Sequence, residues 1–139
     1  MVLGLVEILS RRTFGRMAGR DPDDRKLVVL VRNDLKMTKG KIAAQVAHAA
    51  VNCAFASKKK DAANFSAWYD SGQAKVVLRV DSERELFEFK SLAEALGITC
   101  SLITDAGRTQ IEPGSITCLG IGPEKVSVLD RITGELKML

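Results

Sequence analysis

Four short aliphatic runs, at residues 27–31, 75–80, 99–103 and 116–121, are spaced along the chain, and all but the last two are separated by stretches of helical pattern. Strands alternating with helices have few stable solutions, because each strand face and each helix stripe must be buried against another element. The first run, LVVLV, is β-branched and aliphatic throughout, which suits a central strand. Two helical stretches follow it. One opens at Gly40 and reaches Lys59, rich in alanines (Ala43, Ala44, Ala47, Ala49, Ala50, Ala54) of high helix propensity. The other covers 62–69 and ends at Gly72. Ser82 and Glu85 make a capping box ahead of the apolar stripe Leu86, Phe89, Ala93 and Leu96, and Gly97 is the natural stop. A last helix is expected from Pro123 through Arg131. The expected architecture is a three-layer α/β/α sandwich around a four-stranded mixed sheet.

The chain has 139 residues, 46% of them hydrophobic, enough for one domain with a sizeable core. Only 5% is aromatic, so that core must be built from Val, Leu, Ile and Ala. The domain is expected at residues 26–139. Residues 1–25 differ in composition: Arg11, Arg12, Arg16 and Arg20 stand against Glu7 and interleave with Leu5, Ile8, Leu9 and Phe14. An Arg-rich, acid-poor amphipathic lead suits mitochondrial targeting, and a disordered tail fits the same residues. The location is then the mitochondrion or the cytoplasm. No stretch of about 18 apolar residues exists, so no transmembrane segment is expected.

Charge is distributed unevenly. Between residues 26 and 60 stand Lys26, Arg32, Lys36, Lys39, Lys41, Lys58, Lys59 and Lys60 against Asp34 alone, a local excess of seven. Such a field attracts polyanions, of which a nucleic-acid backbone is the commonest; a merely solvated basic face has the same composition. Cys53, Cys100 and Cys118 show neither a CxxC pair nor metal-ligand spacing, so no metal site is expected. Cys53 lies five residues from His48 on one helix, where the two side chains point apart.

Two constellations carry the chemistry. On the first helix, Lys41, Gln45, His48 and Asn52 fall within a strip about 60° wide. Alanines surround this strip and allow close approach of a ligand; a hydrogen-bonded, partly exposed helix face fits equally. The second is DAGRTQIEPGSITCLGIGP, residues 105–123, in which Asp105, Arg108, Thr109, Ser115 and Thr117 are punctuated by Gly107, Pro113 and Gly114. Loops held by a rigid scaffold are where binding and chemistry concentrate, although a solvated surface hairpin has similar residues. The start of the first helix also lies at the carboxyl end of the first strand, where α/β folds bind ligands, and Lys36, Lys39 and Lys41 add positive charge there. KMTKGKI is not a P-loop, because it lacks the first glycine and Ile42 stands at the magnesium-binding hydroxyl position. LGIGPEK lacks the third glycine of a dinucleotide fingerprint, and no GxSxG elbow is present.

VRNDLKMTKGKIAAQVAHAA (residues 31–50), GQAKVVL (72–78) and DAGRTQIEPGSITCLGIGP (105–123), in this order and followed by the tail TGELKML, resemble the type 2 peptidyl-tRNA hydrolase family of archaea and eukaryotes. The resemblance runs from about Leu27 to the end. It implies an enzyme without metal or cofactor that cleaves the ester between a stalled peptide and its tRNA. It also implies a four-stranded mixed sheet between helices and a homodimer. The residues matching the family's site are Lys41, Gln45 and His48 on the helix, with Asp105, Thr109, Ser115 and Thr117 from the loop and last strand.

Chemistry assigns roles to these residues. Water must be aimed at a carbonyl, an oxyanion stabilised and acidic RNA held. Asp105 suits the water, although a cation beside it stabilises its charged form and weakens it as a base. Lys41 suits the oxyanion or the ribose leaving group. Thr109 is counted with the catalytic group, and His48 is a second candidate base. Gln45, Arg108, Ser115, Thr117, Lys36 and Lys39 are expected to bind substrate, with the tRNA backbone on the basic face. The competing reading is an inactive RNA-binding or protein-interaction module on the same scaffold.

Overall fold

The strand β1 (Arg25–Arg32) is buried at six successive positions, from Lys26 to Val31. Burial on both faces follows from its place inside the sheet. The computed structural model, which describes residues 24–106 and 112–139, pairs β1 on one side with β2 (Lys75–Val80) in parallel and on the other with β4 (Ile116–Lys125) antiparallel. β3 (Cys100–Thr104) pairs antiparallel with β4, so the strand order is β2-β1-β4-β3 and the sheet is mixed. The expected tail or targeting segment lies, up to residue 23, outside the described residues.

Alternation along β1 divides the core into two layers. Leu27, Val29 and Val31 pack with Ala49 and Cys53 of α1 (Lys39–Lys60) and Trp68 of α2 (Ala62–Tyr69). Val28 and Leu30 pack with Leu86 and Ala93 of α3 (Glu83–Ala95) and Leu129 of α4 (Val126–Thr133). The result is the expected three-layer α/β/α arrangement. At α3 the Ser82 half of the capping box forms, the Glu85 amide donating to Ser82 Oγ at 3.2 Å, while Glu85 Oε2 reaches one residue further back than expected and accepts from the Asp81 amide at 2.5 Å. The two sheet edges differ. At β2, the Arg79 amide donates to Lys137 O at 2.9 Å and the Leu139 amide to Val77 O at 3.1 Å, so the C-terminal tail covers that edge.

The last helix departs from expectation. Pro123 does not start it. β4 runs on to Lys125, held by the register Lys26↔Glu124 and Arg25↔Lys125 past an irregularity between Lys26 and Val28, and the Asn64 amide group of α2 donates to Pro123 O at 2.8 Å. The helix begins only at Val126.

Lys26, counted above with the basic segment, faces inward. Its ammonium donates to Asp130 Oδ1 at 2.6 Å, and the two side chains are 3% and 7% exposed. Burial pushes the Lys26 ammonium below its ordinary pKa, and the hydrogen bond and charge of Asp130 oppose that shift. Removing one member of a buried pair takes the counter-charge from the other, at a cost of about 3–5 kcal/mol. Asp130→Ala is therefore expected to lower unfolding free energy by about that amount, whereas Lys26→Met with Asp130→Leu loses much less. Urea titration of the three proteins checks this, and equal losses in the single and double variants would contradict it.

Candidate active site

Thr38 caps α1, its hydroxyl accepting from the Lys41 amide at 3.3 Å. The cap sets the first turn, which contains no acidic residue, and fixes where Lys41 leaves the helix. From the other side comes Asp105, directly after β3. The β3–β4 ladder is irregular between Ile103 and Thr104, and beyond it the Asp105 amide donates to Ser115 O at 2.8 Å, while Asp105 O accepts from the Gly114 amide at 3.3 Å. The Asp105 backbone is thus held from two directions. Its side chain is 1% exposed and accepts a hydrogen bond from the Lys41 ammonium, whose side chain is 11% exposed. An ion pair so far from water is little screened, and removing either member takes a counter-charge away from the other.

One turn along α1, Gln45 is buried and donates from Nε2 to Thr117 Oγ1 at 2.7 Å. Thr117 is fully buried and donates in turn to Ile103 O at 3.2 Å. The Cys118 thiol donates to Gln45 O at 3.4 Å. This chain of bonds ties α1 to β4 and β3 beneath the Lys41–Asp105 pair. The Thr117 hydroxyl is occupied by Gln45 and Ile103, so its contribution reaches the site through Gln45. Ser115 is also engaged, its hydroxyl donating to Glu112 O at 2.7 Å.

The remaining candidates are arranged around this pair. His48 is exposed two turns along α1 and makes no side-chain hydrogen bond among the described residues. Lys36 and Lys39 are exposed on the approach to the helix, Lys36 in a turn where its amide donates to Asn33 O at 3.2 Å. Arg108 and Thr109 lie outside the described residues. Arg32 and Asp34 were not singled out from the sequence as site residues. Arg32 grips Asp34 through Nε at 3.1 Å and Nη2 at 2.6 Å and donates from Nη1 to Ile116 O at 3.2 Å, fastening the β1–α1 loop to the start of β4. The Arg32 hydrogen bond holds the Asp34 carboxyl below its ordinary range. Only their opposite charges two residues apart hinted at this clamp.

Thiol chemistry finds little support in the geometry. Burial pushes the Cys53 thiol up to about 12 and the Cys118 thiol up to about 11, so both are protonated near neutrality and poor nucleophiles. Among the described residues, no group of three or more His, Cys, Asp or Glu could hold a metal ion. None of the described helices is long and apolar enough to cross a membrane.

A lysine on the first turn of α1, paired with an aspartate at the end of an edge strand, is the arrangement to compare with known proteins. The family model described as Peptidyl-tRNA hydrolase PTH2 matches residues 25–139, from the first residue of β1 to the last residue. The chain belongs to this family. Relatives named peptidyl-tRNA hydrolase include one from Thermoplasma acidophilum, 51% identical over 83% of this chain and 98% of the relative. One from Thermococcus sibiricus is 54% identical over 82% and 97%. A third, from Methanocaldococcus jannaschii, is 47% identical over 82% and 99%. In this member of the peptidyl-tRNA hydrolase PTH2 family, the matched segment contains the Lys41–Asp105 pair, the Gln45–Thr117 support and the Arg32–Asp34 clamp.

Proposed function

We propose that this chain hydrolyses the ester joining a peptide to the 3′-terminal ribose of tRNA, releasing peptide and free tRNA, with the buried Lys41–Asp105 pair as its centre. That pair is the observation that supports the reading most. Asp105 orients a water toward the ester carbonyl. The water oxygen bonds to the carbonyl carbon, and the carbonyl oxygen takes the negative charge opposite the Lys41 ammonium. The bond to the ribose oxygen then breaks, and the proton lost by the water passes through the pair to that leaving oxygen. A preorganised cation at the developing charge contributes a few kcal/mol to such a step. Gln45 and Thr117 keep Lys41 in line by fixing α1 against β4. His48, about 10 Å along the helix from Lys41, is better suited to the RNA than to the carbonyl.

Ser115, Arg108 and Thr109 complete the substrate contacts in this reading, while Lys36 and Lys39 meet phosphates. A module that only bound RNA would gain nothing from a buried carboxylate at its basic mouth, which disfavours the non-enzymatic alternative. The catalytic domain spans residues 26–139, and residues 1–25 form a tail or a targeting segment that decides between cytoplasm and mitochondrion. A homodimer is the assembly that the family resemblance implies.

In this reading the hydrolysis needs no metal. Purified protein is therefore expected to release free tRNA from peptidyl-tRNA at an unchanged rate in excess chelator, read by gel separation of charged and free tRNA. Loss of activity in chelator, restored by zinc or magnesium, would contradict the metal-free part. Absence of tRNA release under every condition would overturn the hydrolase reading itself.

A further inference from the structure

The face of α1 that carries Lys41 continues well past the ion pair. At helical spacing, His48, Asn52, Phe55 and Lys59 follow Lys41 and Gln45 within a strip about 80° wide. All four are exposed, and Phe55 at 65% is the most exposed large apolar residue described. Phe55 is not needed to seat the helix, because Gln45, Ala49, Cys53 and Ser57 already form its buried seam. The helix that carries it is cationic: α1 contains Lys39 and Lys41 at its start, Lys58, Lys59 and Lys60 at its end, and neither Asp nor Glu, with the Lys58 ammonium 5.9 Å from the centre of the Phe65 ring. The strip runs beside the edge strand β3, where Asn52 Nδ2 donates to Ser101 Oγ at 3.3 Å and Lys60 donates to Gly97 O.

An outward aromatic ring among lysines, with no carboxylate on the same helix, is how proteins hold single-stranded nucleic acid: the ring stacks on a base and ammonium groups meet the phosphates. We propose that this strip binds the unpaired 3′ end of the tRNA, with Phe55 as the stacking platform for one base and Lys58, Lys59 and Lys60 near the phosphates beyond it. The assignment rests on the hydrolase reading. The helical rise of 1.5 Å per residue sets His48 about 10 Å, Phe55 about 21 Å and Lys59 about 27 Å from Lys41 along the axis. A few extended nucleotides cover that span. The ester sits on the last ribose, so the preceding nucleotides must lead away from the pair, and the strip gives them a continuous path to the basic end of α1. Charge complementarity favours RNA as the occupant over a second copy of the chain, whose α1 would bring the same lysines.

Two substrates with the same peptide separate the roles. Peptidyl-tRNA carries the whole 3′ end, whereas peptidyl-adenosine keeps the ester and lacks the preceding nucleotides. Phe55→Ala is expected to raise KM for peptidyl-tRNA about 5- to 160-fold, the range of one lost base stack, while kcat stays close to wild type. Phe55→Trp is expected to restore KM. On peptidyl-adenosine the Ala substitution should change kcat/KM by less than twofold. Fluorescence anisotropy with the labelled tetranucleotide ACCA reads binding without catalysis and should weaken by the same factor in Phe55→Ala. An unchanged KM, an equal loss on both substrates, or a drop in sedimentation mass of Phe55→Ala would overturn the proposal, the last by assigning the face to a second copy. ACCA binding that depends on Phe55 supports the strip even if the wild type released no tRNA, so the two readings fail separately.

Discussion

Replacing Gly120 by alanine is expected to destabilise the domain by about 1–3 kcal/mol and to slow catalysis with it. A Cβ at this position in β4 would stand 2.7 Å from Cys53 Sγ and 3.2 Å from both Ala49 Cβ and Ala49 O. Ala49 and Cys53 belong to the buried seam of α1, so the helix must move outward or the thiol must swing away. The thiol sits in a closed core, where overpacking forces off-rotamer side chains or backbone shifts. Moving α1 also moves Lys41 and Gln45, and a misplacement of about 1 Å at a reacting geometry can cost roughly 100-fold in rate. Cys53→Ala in the Gly120→Ala background removes the nearest obstructing atom and should recover part of both losses. Thermal unfolding and kcat, measured on the single and double variants, check this. Equal stability of wild type and Gly120→Ala would show that α1 does not rest on β4 this closely.

The second large effect separates folding from catalysis at the ion pair. Lys41→Ala takes the ammonium away from the Asp105 carboxylate, whose side chain is 1% exposed. Breaking a buried ion pair costs several kcal/mol, and loss of a group that stabilises developing charge costs about 100- to 1,000-fold in kcat. Adding Asp105→Asn removes the buried carboxylate charge. The double variant should therefore regain much of the stability while remaining as inactive as Lys41→Ala. Chemical denaturation beside steady-state kinetics reads both axes of the cycle. If stability and activity return together, the pair holds the fold and does not perform chemistry.

What the sequence disclosed follows the range of the interactions. β2 and α2 are found where the local pattern puts them, because β-branched runs, helix propensity and Gly72 act within a few residues. The start of α4 was illegible for the opposite reason. Gly122 and Pro123 look like a helix entrance, but pairing of Glu124 and Lys125 with Lys26 and Arg25, about 100 residues earlier, keeps them in the ladder. Gly120 invites comparison with a nucleotide motif, whereas its bare Cα is required by the approach of Ala49 and Cys53. Lys41 and Asp105 could be named as candidates from residue type and position, yet nothing local says that residues 64 apart meet as a buried pair. The basic segment was overread in one respect: Lys26 is held inside by Asp130 and Arg32 by Asp34, so neither adds a free cation to the surface. The field at the mouth comes instead from Lys36 and Lys39, and at the far end of α1 from Lys58, Lys59 and Lys60.

The central claim is that the Lys41–Asp105 pair performs the hydrolysis of the peptidyl-tRNA ester, and single-turnover kinetics at saturating enzyme test it most directly. Under these conditions every substrate molecule is bound, so the rate constant reports ester cleavage and not affinity. Asp105→Asn keeps the size of the side chain while losing the charge that orients water and takes its proton. The account predicts a cleavage rate constant at least about 100-fold below wild type, with tRNA binding within a few-fold of normal. A variant that cleaves within a few-fold of the wild-type rate, while still folded, would contradict it.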